Sequence, residues 1–155
     1  MKLFRVIVAL SVSGVLCFGS CVKQEPVEDF TTIDKKIIQD YIKANNLDAD
    51  STSSGLYYVI QKVGVGQNPT QYSYIKIRYK GYLTSGKIFD EAKTAATFQL
   101  NGLIEGWKEG IPKFKEGGEG LLLVPSHLGY GDRATGSIPA NSVLIFEIKL
   151  DEVLQ

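Results

Sequence analysis

The stretch Asn101–Ile111, NGLIEGWKEGI, constrains this chain more than any other. It carries Trp107, the only tryptophan in 155 residues. Leu103, Ile104, Trp107 and Ile111 recur at helical spacing and draw one apolar stripe. Asn101 or Gly102 is placed to cap the helix, and Pro112 to stop it. Strand-like runs lie on both sides, at about 75–83, 96–100, 120–125 and 143–154. One short amphipathic helix among strands has an obvious task, which is to cover a curved sheet. An indole on its stripe then either fills the core or floors a pocket.

The length suits one domain plus a short extension. Sixteen glycines and fifteen Phe and Tyr residues point to a strand-rich, turn-rich fold. Formal net charge is zero, so no bulk field attracts nucleic acid. Residues 1–20 are set apart from the fold as a signal peptide: Lys2 and Arg5 precede the apolar run VIVALSVSGVLCF, too short to span a bilayer comfortably. Gly19-Ser20-Cys21 resembles the bacterial lipobox, in which the cysteine is acylated and becomes the first residue, although Phe18 stands where Leu or Val is usual. Lipidation is therefore expected at Cys21. It would consume one cysteine while cleavage removes the other, Cys17, leaving no disulfide to form. Removing Lys2 and Arg5 from the seventeen basic side chains leaves an excess of two acidic ones. Each buried acyl methylene contributes about 0.8 kcal/mol, so two or three chains anchor the protein without a spanning helix. The expected location is the cell envelope, at the outer membrane, facing the periplasm or the cell surface.

Residues 21–54 read as a lipid-anchored tether and a helix. VKQEPVEDF is polar and acidic. In 32–45, Ile33, Ile37, Ile38, Tyr41 and Ile42 share a face, with Lys35, Lys36, Gln39, Asp40 and Lys43 opposite and Thr31 or Thr32 as cap. That stripe packs either on the following domain or on a second copy, so the chain is a monomer or a dimer through this helix. LDADSTSSG, 47–55, is a polar linker. Beyond it come strands at 56–64 and 74–83, a turn at Ser85-Gly86, strands at 87–92 and 96–100, the central helix, LLLVP, the Gly-rich loop 126–142, and a closing strand 143–154. Ile75, Ile77 and Tyr79 alternate with Lys76, Arg78 and Lys80. The order is α+β, an antiparallel sheet wrapped on a helix.

No phosphate-binding loop, dinucleotide fingerprint, zinc-protease motif or nucleophile elbow is present. His127, the only histidine, reads as solvated, which removes the usual general base and leaves no metal-ligand set. Asp90 and Glu91 point opposite ways on a strand and make a poor acid/base pair. What remains is aromatic: Tyr79, Phe89, Phe98, Trp107, Tyr130 and Phe146. Core packing is the simplest role for Phe98. Tyr130 differs, because two glycines flank it in an exposed loop. Asp90, beside Phe89 and just after a turn, is placed either to accept from a tyrosine hydroxyl or to cap the turn.

Five stretches together, IRYKGYL, KIFDEA, FQLNGLIEGWKEGI, LLLVPSHLGYGDR and SIPANSVLIFEIKL, resemble the FKBP-type peptidyl-prolyl isomerases, in a lipoprotein form of a Gram-negative bacterium. The resemblance covers about residues 55–155 and implies a curved antiparallel sheet around one short helix (FKBP-like), with the N-terminal helix as an extension. It implies a proline pocket with Trp107 as floor and Tyr79, Phe89, Leu103, Ile104, Tyr130, Ile138 and Phe146 as walls. Asp90 would accept from Tyr79, while the Ile104 N–H and the Tyr130 hydroxyl would hold substrate carbonyls. The implied activity needs neither cofactor nor metal; its partners are proline-containing polypeptides, with macrolides as further ligands. Residues 133–137 lack counterparts, which bears on preference for residues flanking proline. Three readings follow: an active isomerase for exported proteins, a binding module on the same fold, and a structural envelope lipoprotein.

Overall fold

The computed structural model describes residues 29–154. The signal-like stretch 1–20, the acylation site at Cys21 and the tether up to residue 28 lie outside the described residues.

Helix α1 spans Phe30–Ala44. Its cap is Asp29, not Thr31 or Thr32. The Asp29 carboxylate accepts from the Thr31 N–H at 3.1 Å and from the Thr32 hydroxyl at 2.7 Å. A carboxylate takes both donors at once and suits the positive end of a helix, so the start moves ahead of the threonines.

The strands are β1 (Asp50–Ser51), β2 (Tyr57–Lys62), β3 (Tyr74–Leu83), β4 (Ile88–Gln99), β5 (Glu119–Val124) and β6 (Leu144–Leu154). They form one antiparallel sheet in the order β1-β2-β5-β6-β3-β4. The short β1 falls inside the stretch that reads as a linker, where Asp50 and Ser51 pair with Tyr58 and Tyr57. Strand β4 is continuous where the pattern gives two runs. Ile77 faces Ala96, yet Tyr79 faces Ala92, so Lys93, Thr94 and Ala95 are absorbed in a register shift. Such a bulge breaks the two-residue period without ending the strand.

Both faces of the sheet are covered in part. On one side Ile75 and Ile77 of β3, Leu122 and Val124 of β5, and Phe146, Ile148 and Leu150 of β6 form a core with Trp107, Ile111 and Phe114. On the other, Ile38 of α1 is fully buried among Val59, Leu121, Leu123 and Val143. Strand β5 therefore buries alternate residues on opposite sides, which explains why LLLV lacks polar alternation. Ile33, at the end of the α1 stripe, stays 40% exposed. Beyond the reach of α1, Lys76, Arg78 and Lys80 pair with Glu152, Asp151 and Glu147.

The central helix is shorter than Asn101–Ile111. Leu100–Gly102 and Ile111–Lys113 are separate 3-10 turns, and α2 is Glu105–Gly110. Ile104 is its cap residue with extended backbone (φ −60°, ψ 152°), so neither Asn101 nor Gly102 caps it. Gly106 and Gly110 are one helical turn apart and face β5. A Cβ on them would stand 2.4 Å from Val124 and 2.6 Å from Leu122. Their lack of side chains lets α2 lie close on the sheet, and that seats Trp107 within the aromatic residues of β3, β4 and β6.

Candidate active site

Tyr79 projects from β3 on the same face as Ile75 and Ile77, because side chains alternate along a strand. Gly81, two residues on, pairs with Phe146 of β6 and with Asp90 of β4. These pairings gather residues distant in sequence at one end of the sheet. Trp107 lies beneath them. Its ring makes edge-to-face contacts with Tyr79 (centroids 5.0 Å apart), Phe146 (5.3 Å) and Phe98 (6.3 Å). Phe89 stands edge-to-face against Phe146 at 5.5 Å. Such pairs each add about 0.5–1.5 kcal/mol beyond area burial, so the rings form a rigid lining.

The lining encloses a cavity of about 160 Å³ bounded by Tyr79, Phe89, Asp90, Phe98, Leu103, Ile104, Trp107, Tyr130 and Phe146. Drug-sized sites run to about 300–1,000 Å³, so this one suits a group of a few carbon atoms. Its polar groups are few. The Tyr79 hydroxyl donates to Asp90 Oδ2 at 2.6 Å. Burial, then the bond to Asp90 and its charge, raise the Tyr79 pKa above the ordinary phenol value, so the ring keeps its proton. Among the described residues, the Ile104 N–H donates to no protein acceptor, and Trp107 Nε1 is buried without a partner. Tyr130 is 38% exposed at the rim.

Two residues sit differently from the sequence reading. Ile138 does not line the cavity. It pairs with Thr135 through two 2.9 Å backbone bonds, and its side chain, 6% exposed, belongs to the core cluster that holds Trp107. Phe98, whose simplest role is core packing, does both: it packs against the core cluster and lines the cavity. Its cross-strand pairing with Ile75 puts it on the face of the sheet that carries Tyr79, a relation no local pattern reports. His127 is exposed, but its Nε2 lies 3.0 Å from the Ser54 carbonyl oxygen, a contact beyond plain solvation. A buried carboxylate on α1, Asp34, went unread although Asp34, Ile38 and Tyr41 share helical spacing. A larger open groove of about 620 Å³ lies on the opposite face of the sheet. Its charges largely neutralise one another, as in Lys80–Glu147 at 2.7 Å and Lys149–Glu119 at 2.6 Å, so it offers little unsatisfied chemistry.

A small aromatic cavity, with no nucleophile, in a sheet wrapped on one short helix defines a class of protein. The sequence matches the family described as FKBP-type peptidyl-prolyl cis-trans isomerase over residues 65–151, more than half of the chain, and the chain belongs to that family. It is 40% identical over 117 residues to the FKBP-type peptidyl-prolyl cis-trans isomerase FkpA of Aeromonas hydrophila, a match covering 72% of this chain and 44% of the relative. The FkpA of Escherichia coli K12 is 38% identical over 106 residues, covering 66% and 39%. The chain thus spans under half the length of these curated relatives. The crystal structure of FkpA from Escherichia coli superposes with a TM-score of 0.72 at 32% identity, over 81% of this chain and 61% of that one. A peptidyl-prolyl cis-trans isomerase from Pseudomonas syringae pv. tomato gives 0.70 at 26% identity, over 83% and 99%.

Proposed function

We propose that the chain accelerates cis-trans rotation of Xaa-Pro bonds in exported polypeptides, with the proline ring held in the Trp107 cavity. The observation that carries this reading is a small aromatic cavity whose one carboxylate is tied to a tyrosine. Rotation breaks no covalent bond, so the lack of a nucleophile is no obstacle. The barrier, about 18–20 kcal/mol for a peptide bond, comes from amide resonance. Uncatalysed prolyl exchange takes tens of seconds or longer. In the twisted transition state resonance is lost and the imide carbonyl is less polar. An aromatic lining that excludes water therefore favours the twisted form over the planar one. The Ile104 N–H fixes one substrate carbonyl and the Tyr130 hydroxyl another, while Asp90 holds Tyr79 against the ring. Each tenfold gain in rate requires about 1.4 kcal/mol of such preference.

Acylated Cys21 would hold this domain at the cell envelope, and mass spectrometry of the N-terminal peptide would read the added diacylglyceryl and acyl groups. The test of activity is exchange of short Xaa-Pro peptides in the presence of the full chain, with several residues before proline and a macrolide as competitor. Acceleration that disappears in Asp90→Val and under the macrolide supports an isomerase. Peptide binding without acceleration by folded wild-type chain would reduce the site to a recognition module.

A further inference from the structure

Asp34 is fully buried on α1 and, among the described residues, carries no cationic partner. Its Oδ2 accepts two bonds from a single residue 92 positions away: the Ser126 N–H at 2.8 Å and the Ser126 hydroxyl at 2.6 Å. Burying a carboxylate is costly unless hydrogen bonds compensate, and both of these land on one oxygen while Oδ1 has no partner among the described residues. A helix whose only task was to cover the sheet would be better served by an apolar residue at this position.

Ser126 opens a single 3-10 turn, Ser126–Leu128, directly after β5 and Pro125. Its donors face α1. Its carbonyl oxygen accepts from the Gly129 N–H at 2.9 Å and the Gly131 N–H at 2.8 Å. Those two glycines flank Tyr130. Gly131 has φ +62°, a conformation that costs glycine little, and Gly129 sits at φ −104°, ψ −113°. A tyrosine between two glycines receives little direction from its own backbone. Its aim must come from bonds made by its neighbours, and Ser126 supplies one to each, with the Asn141 N–H to the Gly131 carbonyl at 2.7 Å as a further tie.

We infer that Asp34 is a positioning residue for the candidate site: through Ser126 it makes α1 fix the aim of Tyr130 over the proline cavity. The inference rests on the isomerase reading, in which the Tyr130 hydroxyl holds a substrate carbonyl. It gives α1 a part in turnover beyond covering one face of the sheet.

The test is a double-mutant cycle in the full chain, with kcat/KM for an Xaa-Pro peptide as readout. Asp34→Ala should lower kcat/KM about fivefold, the worth of one ordinary hydrogen bond. Asp34→Asn keeps one oxygen able to accept both Ser126 bonds and should return activity to within about twofold of wild type. The decisive comparison is in Tyr130→Phe, where Asp34→Ala should cost nothing more, because the hydroxyl it aims is gone. A fivefold loss in both backgrounds would mean a general structural effect and would overturn the inference, as would full activity in folded Asp34→Ala. If Asp34→Ala does not fold, Ser126→Ala, which removes only the hydroxyl bond, enters the same cycle. A wild-type chain that does not isomerise refutes the activity and not this contact. Amide exchange at Gly129 and Gly131 then decides: faster in Asp34→Ala than in Asp34→Asn supports the tie, and equal rates reject it.

Discussion

Replacing Trp107 by alanine separates what the indole does for the fold from what it does for the cavity. The ring is 5% exposed and meets three aromatic rings edge-on. At about 0.5–1.5 kcal/mol each, those contacts alone account for about 1.5–4.5 kcal/mol, consistent with the usual 3–5 kcal/mol for deleting a buried tryptophan. Domains of this size hold about 5–15 kcal/mol, so the variant should fold with a melting point lower by about 6–20 °C. The functional loss is a separate sum. A bound proline ring buries three methylenes at about 0.8 kcal/mol each, and the cavity floor supplies roughly half of that contact. Losing it removes about 1.2 kcal/mol, close to tenfold in kcat/KM. Circular dichroism would set the temperature well below the variant's midpoint, and peptide exchange followed by NMR would give the rate. Trp107→Phe, which keeps an aromatic floor, should fall between the two. Wild-type kcat/KM in folded Trp107→Ala would refute the assignment of this cavity to proline.

Tyr79→Phe removes the 2.6 Å bond to Asp90. Because Asp90 is exposed and water replaces the lost donor, stability should fall by less than about 1 kcal/mol while kcat/KM drops about fivefold; equal rates would show that Asp90 does not orient the ring. Gly81→Ala would place a Cβ 2.6 Å from the Phe89 ring and 2.9 Å from that of Phe146. Overpacking of this kind costs about 1–3 kcal/mol and displaces two walls of the cavity, so a several-fold loss of peptide affinity, read by Trp107 fluorescence, is expected. The Tyr79 phenol, raised above its ordinary value chiefly by burial, keeps its proton through neutral and mildly alkaline conditions, so kcat/KM should be flat from about pH 6 to 9; a bell-shaped profile there would reveal a titrating acid or base. Stability should fall in acid. The Thr32 hydroxyl, Lys149 and Arg78 respectively hold the carboxyls of Asp29, Glu119 and Asp151 below their ordinary values. Their contribution is full above the unfolded value near about pH 4 and is lost as pH falls through the lower folded values, which acid titration of the unfolding midpoint would register.

Much of the fold was legible because periodicity reports local environment directly. The alternation Ile75, Ile77, Tyr79 against Lys76, Arg78, Lys80 assigns both faces of β3, and the structure buries Ile75 and Ile77, half-buries Tyr79, and pairs the second set with β6 acids. The stripe on α1 likewise shows which side must be covered, and all six aromatic residues around the cavity stand out in the sequence by type. Element boundaries were less legible. The extended backbone at Ile104 shortens α2, and the bulge at 93–95 joins two apparent strands, because both depend on what packs or pairs opposite.

By itself, then, the sequence determined the order of elements, the face each one buries and the residue types available for chemistry. These follow from bond geometry and side-chain spacing within a few residues. Only the tertiary structure decided which elements meet. It brought Tyr79 to Asp90, turned Ile138 inward while Phe98 reached the cavity, and joined Asp34 to Ser126 across 92 positions. Pattern along a chain tells a residue which way to point; close packing between elements, set by glycines such as Gly106 and by strand register, decides what it finds there.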